Sequence, residues 1–515
     1  MNARGVGRWL LIDACLLCAW GASLGAVLLH EHGMLWGGFG NPSATMAAPL
    51  EAEEQWFGIY YQGWKVGFSH VSLVPDERDG VPGVSIRDMG RLAFTLMGQP
   101  QQVEVRAWTF IDANWRLQHF QAELQAPAYR LQWVGRRQGD ELVVSVSTPE
   151  STITKRLRDP VGSTLVTGLS SWTAFHRLKV GQSGKAWIFN PLALNPELVY
   201  FTVRSREVVD GREAMVVETD VSGMSATSWV TPEGEVLKET SPLGWEVRRE
   251  PQTQAWASVE RAPQLDLLLA TAVPVDRPLG DVRQIEELTL LVVGVEEADL
   301  NLQRSWQQVL LRRHLAEFGQ PPPQDDAWCL IRLRRPSLSV TQQGPIPAGI
   351  RPYLHPSPFV QADDARIIAK AKEIIGRRTD PWEQVQALSD WVHRTLAKHL
   401  TIGLPSAVDV LLAPAGDCHE HTVLFTALAR SAGLPTRMIA GLVYQAGAFY
   451  YHAWPEVWLG AWIPIDPTLG QPLADVTHVG LIEAESESLI SLGRFMGKLR
   501  LQVLALRKPQ GQQMP

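Results

Sequence analysis

From about residue 52 to residue 260 the chain runs in short β-branched and aromatic segments cut by turn dipeptides, and no other feature constrains its fold as strongly. Such stretches include "WFGIYYQGWKVGFSHVSLV", "REVVDGREAMVVETDV" and "SWVTPEGEVLKETSPLGWEVRRE", and Asp79-Gly80, Asp210-Gly211 and Glu233-Gly234 punctuate the region. Pairs of this kind accept the positive φ angles of a tight hairpin, so 52–260 is expected to be antiparallel β. It holds no exact internal repeat and no cluster of acidic or histidine residues, which suits a scaffold or a recognition module. At 515 residues the chain exceeds what one core usually organises, so two or three domains are expected.

Ahead of this region, Arg4 and Arg8 precede an apolar run from about Trp9 to Leu29. A run of that length spans a bilayer as one helix. Basic residues before it hold the N-terminus in the cytoplasm and place everything after residue 30 on the far side, in a periplasm or at a cell surface. Residues 1–30 are therefore expected to be an anchor. A cleaved signal is the alternative, but the run is long for one and no A-x-A site follows closely. Residues 31–51 read as a linker.

The net charge of −7 and the absence of a basic run exclude nucleic acid as a natural partner. Twenty tryptophans could stack on sugars, which makes a cell-wall polymer a candidate ligand of the β region, although core and strand packing accounts for most such residues. Of four cysteines, Cys15 and Cys18 lie in the apolar run. Cys329 and Cys418 are too few for a disulfide framework, and Cys418 is expected to be a thiol.

Residues 261–358 form a mixed connecting region, with a strand expected in "ELTLLVVGV" (287–295), a helix in "NLQRSWQQVLLRRHLAEFG" (301–319) and linker in "QQGPIPAGIRPYLHPSPF". The stretch 359–480 opens with two helices. In the second, Asp380 caps, Pro381 takes the first position, Glu383 completes a capping box, and Val385, Leu388, Trp391, Val392 and Leu396 make the buried stripe. In the tail, 481–515, Arg494, Lys498 and Arg500 interrupt the apolar residues of 489–506, so an amphipathic helix is expected there rather than a second span.

The chemistry gathers in residues 416–468. Gly416 and Asp417 precede a helical run from Cys418 to Ala432 that Gly433 and Pro435 end, so Cys418 sits in a first turn. Unpaired N–H groups and the helix dipole there favour a thiolate. "TRMIAGLVY", "AFYYHAWPEVWL" and "AWIPIDPT" then read as three strands, and His452, Trp454, Glu456 and Trp458 share one face of the second. A two-residue turn at Gly460-Ala461 would put Asp466 on the opposite face from His452. A three-residue loop, Leu459 to Ala461, sets Trp454 across from Asp466 and leaves His452 diagonal to it, about 7 Å away. With the longer loop or a bulge, Cys418 can attack a carbonyl, His452 can take and return the proton, and Asp466 can orient the imidazole. His421, Trp454 and Trp458 are candidates to line a substrate pocket. Cys418, His419 and His421 cannot converge on one ion from neighbouring helix positions, so neither a metal nor another cofactor is expected.

"GDCHEHTVLFTALARSAGLPTR", "HAWPEVWLGAWIPIDPT" and "WEQVQALSDWVHRTL" together resemble the core of the transglutaminase-like superfamily, which is similar in logic to papain-type cysteine proteases. The resemblance covers about residues 360–480. It implies an α+β domain with Cys418 as nucleophile, His452 as base and Asp466 as orienting acid, acting on a protein or peptide substrate. The tandem of anchor, β-rich domain and this core resembles bacterial envelope proteins of that superfamily. Pro455 departs from the pattern: it lacks an N–H, and the strand is expected to be an edge or bulged there. The expectations are a cysteine enzyme working on amide or peptide bonds through an acyl-thioester, by transamidation or hydrolysis, or a non-catalytic envelope adaptor on the same scaffold. Carbohydrate recognition by the β region is compatible with either.

Overall fold

The computed structural model describes residues 52–509 except 160–178, 257–271, 337–344, 399–404, 485–494 and several shorter stretches. The chain divides into two compact units, with Ala19–Ala270 in one and Thr271–Pro515 in the other. The apolar run expected to anchor the chain lies outside the described residues. Among the described residues no helix is long and apolar enough to cross a membrane.

The first unit is a single antiparallel sheet of fourteen strands among the described residues. Consecutive strands pair from Glu53–Tyr61 up to Thr152–Arg158 and again from Ser183–Asn190 up to Trp245–Arg249, and Glu53–Tyr61 pairs with Trp245–Arg249 to join the two runs. Hairpin chemistry explains this local pairing. Asp79-Gly80 has φ of 51° and 75°, and Asp210-Gly211 has 51° and 79°, both residues positive as a type I′ turn requires. Gln62-Gly63, at 49° and 83°, makes a turn of the same sense from a less telling pair of residues. Inner strands bury one face, as with Phe57, Ile59 and Tyr61. Phe120 meets Phe189 at 5.4 Å between ring centres, which brings the fifth strand against the ninth and shows that the sheet curls.

The second unit contains two four-stranded sheets and four helices that matter for the site. One sheet is ordered Gln307–Leu310, Trp328–Arg334, Glu287–Val293, Arg500–Arg507. Two sequence expectations fail here. The tail is a strand over Arg500–Arg507, not an amphipathic helix: Leu501 and Val503 turn inward with period two, and the strand pairs with Glu287–Val293. The helix expected over 301–319 is replaced by the strand Gln307–Leu310 and a 3₁₀ segment, Arg312–Phe318. Tertiary bonds explain the change, because the Gln307 side chain donates to the Gly480 carbonyl and accepts from the Gly480 N–H, each at 2.8 Å.

The helices are α1 (Ala365–Ile375), α2 (Pro381–Thr395), α3 (Ala407–Leu412) and α4 (Cys418–Ser431). Asp380 caps α2 by accepting the Glu383 N–H at 2.9 Å, and Val385, Leu388 and Val392 form its buried stripe, continued by Leu396 just past its end. Every residue of α4 from Cys418 to Arg430 is buried. A helix buried all round must be covered on every side, and α1, α2, α3 and the second sheet do so. Each large apolar side chain enclosed this way, Phe425 among them, contributes roughly 1.5–3 kcal/mol. The second sheet runs Trp462–Pro464, Ala448–Trp458, Thr436–Gln445, Val479–Glu483.

Candidate active site

The cysteine end of the site is built by a cap. Asp417 precedes α4 and accepts the His419 N–H at 3.2 Å, while Glu420 reaches back to accept the Asp417 N–H at 2.9 Å. Gly416 has φ of 148°, and a Cβ there would lie 2.3 Å from Glu420 Cγ. Glycine, aspartate, cysteine and glutamate are thus one packing unit that fixes Cys418 at the first helical position, where backbone N–H groups and the helix dipole favour a thiolate. The strand segment Ala397–Lys398 pairs in parallel with Ala415–Gly416 and braces the approach to it.

The histidine end depends on a loop of the right parity. Trp458 pairs with Trp462, Val457 with Ile463 and Glu456 with Pro464, so the connection is the three-residue one, Leu459–Ala461. Continued by two residues, this register puts Asp466 across from Trp454 and diagonal to His452. His452 Nε2 donates to Asp466 Oδ2 at 2.8 Å. Asp466 is itself held: its Oδ1 accepts the Leu469 N–H at 2.9 Å, and its backbone exchanges two 2.8 Å bonds with Gln471. With its proton on Nε2, neutral His452 carries its lone pair on Nδ1, a buried atom with no hydrogen-bond partner. Ala453, the next residue along, packs against Cys418.

The strand bearing His452 has no bulge at Pro455 and is paired without a break on one side, while its ladder on the other side stops just short of Pro455. Its pairing with Thr436–Gln445 runs unbroken from Thr436/Val457 to Gln445/Ala448. The missing N–H falls on the other side, where the ladder to Trp462–Pro464 has ended and the Pro455 carbonyl still accepts the Ile465 N–H at 2.9 Å.

Sequence reasoning missed His478, whose only trace in the sequence is a polar "DVTH" shortly after the aspartate. Its Nε2 lies 3.0 Å from the same Asp466 Oδ2, and its Nδ1 lies 3.1 Å from the Asp475 carbonyl and 3.3 Å from Asp475 Oδ1. Burial alone would push the His478 pKa down. Hydrogen bonds to Asp466 and Asp475, and their charges, outweigh it and raise the value to about 10. Burial likewise pushes Asp466 up, but the charge of His452 and hydrogen bonds from both histidines hold it well below the usual carboxylate range. The donor atoms of His452, Asp466 and His478 lie within 4.8 Å of one another, so these residues could gather around a small transition ion. Their hydrogen bonds to one another, to Leu469 and to Asp475 account for the arrangement without one.

The three expected pocket residues fall in different places. His421 is buried, and its Nδ1 donates to the Asp417 carbonyl; burial pushes its pKa down to about 3 and keeps it neutral. Trp454 is wholly buried and walls the two histidines, with ring centres 6.1 Å from His452 and 5.0 Å from His478. Trp458 instead packs edge-on to Trp462, in a cluster with Tyr353 and Arg437 at the far end of the strand. Glu456, on the same face as His452, anchors a buried ion network: Arg304 at 2.6 Å and Arg437 at 2.7 Å, with Arg437 also paired to Glu483. Cys418, His452, Asp466 and His478 each have 0% exposure, so the site is closed to solvent in this structure.

Residues 368–467 match the profile of the transglutaminase-like superfamily, and this match spans Cys418, His452 and Asp466. That part of the chain is a transglutaminase-like core. No curated protein sequence is significantly similar to the chain. Among solved structures, a candidate cysteine protease from Cytophaga hutchinsonii is 17% identical, covering 45% of this chain and 90% of its own, with a TM-score of 0.30. A β-barrel-like protein of a domain of unknown function from Brucella abortus is 12% identical, covering 38% of this chain and 94% of its own, with a TM-score of 0.30. A candidate protease from Parabacteroides distasonis is 9% identical, covering 77% and 70% respectively, with a TM-score of 0.19. At such scores these likenesses carry no argument about the transglutaminase-like core, and its chemistry has to be read from its own residues.

Proposed function

We propose that the chain is a cysteine enzyme acting on amide or peptide bonds, with Cys418 as nucleophile, His452 as general base and Asp466 as the group that orients the imidazole. The observation that carries this reading is the buried 2.8 Å bond from His452 Nε2 to Asp466, which leaves Nδ1 as the acceptor, while the neighbouring Ala453 packs against Cys418 at a helix N-terminus. In the reaction, Cys418 Sγ loses its proton to His452 Nδ1 and attacks the carbonyl carbon; the tetrahedral oxyanion collapses to an acyl-thioester as His452 gives that proton to the departing amine. The Cys418 backbone N–H is one donor for the oxyanion. Water or a second amine then resolves the thioester, which makes the enzyme a hydrolase or a transamidase. The apolar run Trp9–Leu29 would hold it in the membrane with the core outside the cytoplasm, near cell-wall polymer that the β-rich domain could engage.

The complete enclosure of Cys418 and His452 favours a second reading, a non-catalytic envelope adaptor on the same scaffold. The two separate in one experiment. The full chain is incubated with glutamine-containing peptides and a labelled primary amine, and with the peptides alone. A transamidated or cleaved product that disappears in Cys418→Ala supports the enzyme. No product from any peptide, together with specific retention of cell-wall glycan by the Cys418→Ala protein, supports the adaptor.

A further inference from the structure

We propose that His478 is a positioning residue of this site, holding Asp466 in line with His452 and placing a fixed cation that sets the pH range in which the thiolate and imidazolium coexist. The proposal rests on the reading of Cys418 and His452 as nucleophile and base. Its geometric ground is the sharing of one oxygen: Asp466 Oδ2 receives His452 Nε2 at 2.8 Å and His478 Nε2 at 3.0 Å, while Oδ1 is taken by the Leu469 N–H. Three donors leave the carboxylate one orientation, and removing His478 leaves it two.

The other side of the ring decides the charge. His478 Nδ1 faces two acceptors, the Asp475 carbonyl and Asp475 Oδ1, and a lone pair there would point at both. Both ring nitrogens therefore carry protons and His478 is an imidazolium. Asp475 is fixed in turn by the Gln471 side chain, which donates to Oδ2 at 2.9 Å, and by the Thr477 N–H at 2.9 Å and the Thr477 hydroxyl at 2.6 Å on Oδ1. The titratable groups facing His478 are Asp466 on the segment after Trp462–Pro464, Asp475 on its own segment and His452 on the strand Ala448–Trp458; Lys398, which donates to the Thr468 carbonyl at 2.9 Å, adds positive charge near Asp466.

A permanent cation whose ring centre lies 6.0 Å from that of His452 disfavours a second one there and favours a thiolate. It lowers the pH at which the Cys418 thiolate forms, and loss of that charge moves the inflection of thiolate reactivity upward by on the order of one pH unit.

The test is the rate of iodoacetamide alkylation at Cys418 against pH in the full chain, read by mass spectrometry of the Cys418 peptide. It compares the wild type with His478→Gln, which keeps an N–H donor without the charge, His478→Phe, which keeps neither, and His452→Ala. Circular dichroism establishes folding. The expected result is a His452-dependent inflection in the wild type that moves up by about one pH unit or more in both His478 variants, with the plateau rate further reduced in His478→Phe. Inflections in a folded His478→Gln protein that coincide with the wild type overturn this proposal alone. A wild type whose profile His452→Ala leaves unchanged overturns it together with the reading of Cys418 and His452. Should His478→Phe fail to fold, His478→Gln decides by itself.

Discussion

Replacing Glu456 with glutamine tests the support beneath the histidine strand. Glu456 is wholly buried and pairs with Arg304 at 2.6 Å and Arg437 at 2.7 Å. Without its charge Arg437 keeps Glu483, at the edge of solvent, but the Arg304 guanidinium, whose side chain has 0% exposure, is left buried with no carboxylate. Removing one partner of a buried pair costs about 3–5 kcal/mol. For a unit of this size each kcal/mol moves the melting temperature by about 2–4 °C, so a drop of roughly 6–20 °C is expected. Arg304→Met should cost less, because Glu456 retains Arg437 and a buried flexible apolar side chain replaces the guanidinium. Calorimetry of the full chain reads both, and only the transition of the C-terminal unit should move. A shift below about 2 °C for Glu456→Gln, or a larger one for Arg304→Met, would refute the reasoning.

Gly416→Ala forces a methyl against Glu420 in a backbone conformation that side chains avoid, at a cost of about 1–3 kcal/mol; alkylation of Cys418 should slow at neutral pH, and an unchanged rate and melting temperature would contradict the cap's role. Stability against pH should peak near neutrality. The raised His478 pKa gives stability that is whole below about 6.5 and lost as pH climbs through about 10, while the depressed pKa values of buried His421 and His419 give stability that is whole above about 6.5 and lost as pH falls. Asp466 and Asp475, both depressed, add stability that is whole above about pH 4 and lost below it. Melting temperatures that rise steadily from pH 7 to 10 would contradict that account. Dialysis against EDTA should leave the Cys418 alkylation rate unchanged, and a fall restored by zinc would mean that His452, Asp466 and His478 serve an ion instead.

What the sequence made legible was local or periodic. Asp79-Gly80 and Asp210-Gly211 announce hairpins because two residues determine the turn, and Cys418 and His452 could be placed because one opens a helix and the other lies on a strand, with Asp466 just past the end of the next. Loop parity at Leu459–Ala461 could be posed as a choice of two, and the ladder made it. Misreadings came where a distant partner decides. Arg500–Arg507 is a strand because Glu287–Val293 lies beside it, and residues 307–310 extend because Gln307 bonds Gly480, neither of which a local window contains. Glu420, three residues after Asp417, is buried as the other half of the cap. His478 had no spacing signal, since its role exists only once Asp466 and Asp475 are folded around it.

The central claim is that Cys418 is a nucleophile activated by His452, and the pH dependence of Cys418 alkylation by iodoacetamide in the wild type and in His452→Ala tests it most directly, with Cys329, buried in the other sheet, as internal control. The account predicts reaction well below the ordinary thiol pKa of about 8.5, faster than Cys329 and lost in His452→Ala. Reaction no faster than Cys329, and indifferent to His452, would contradict it.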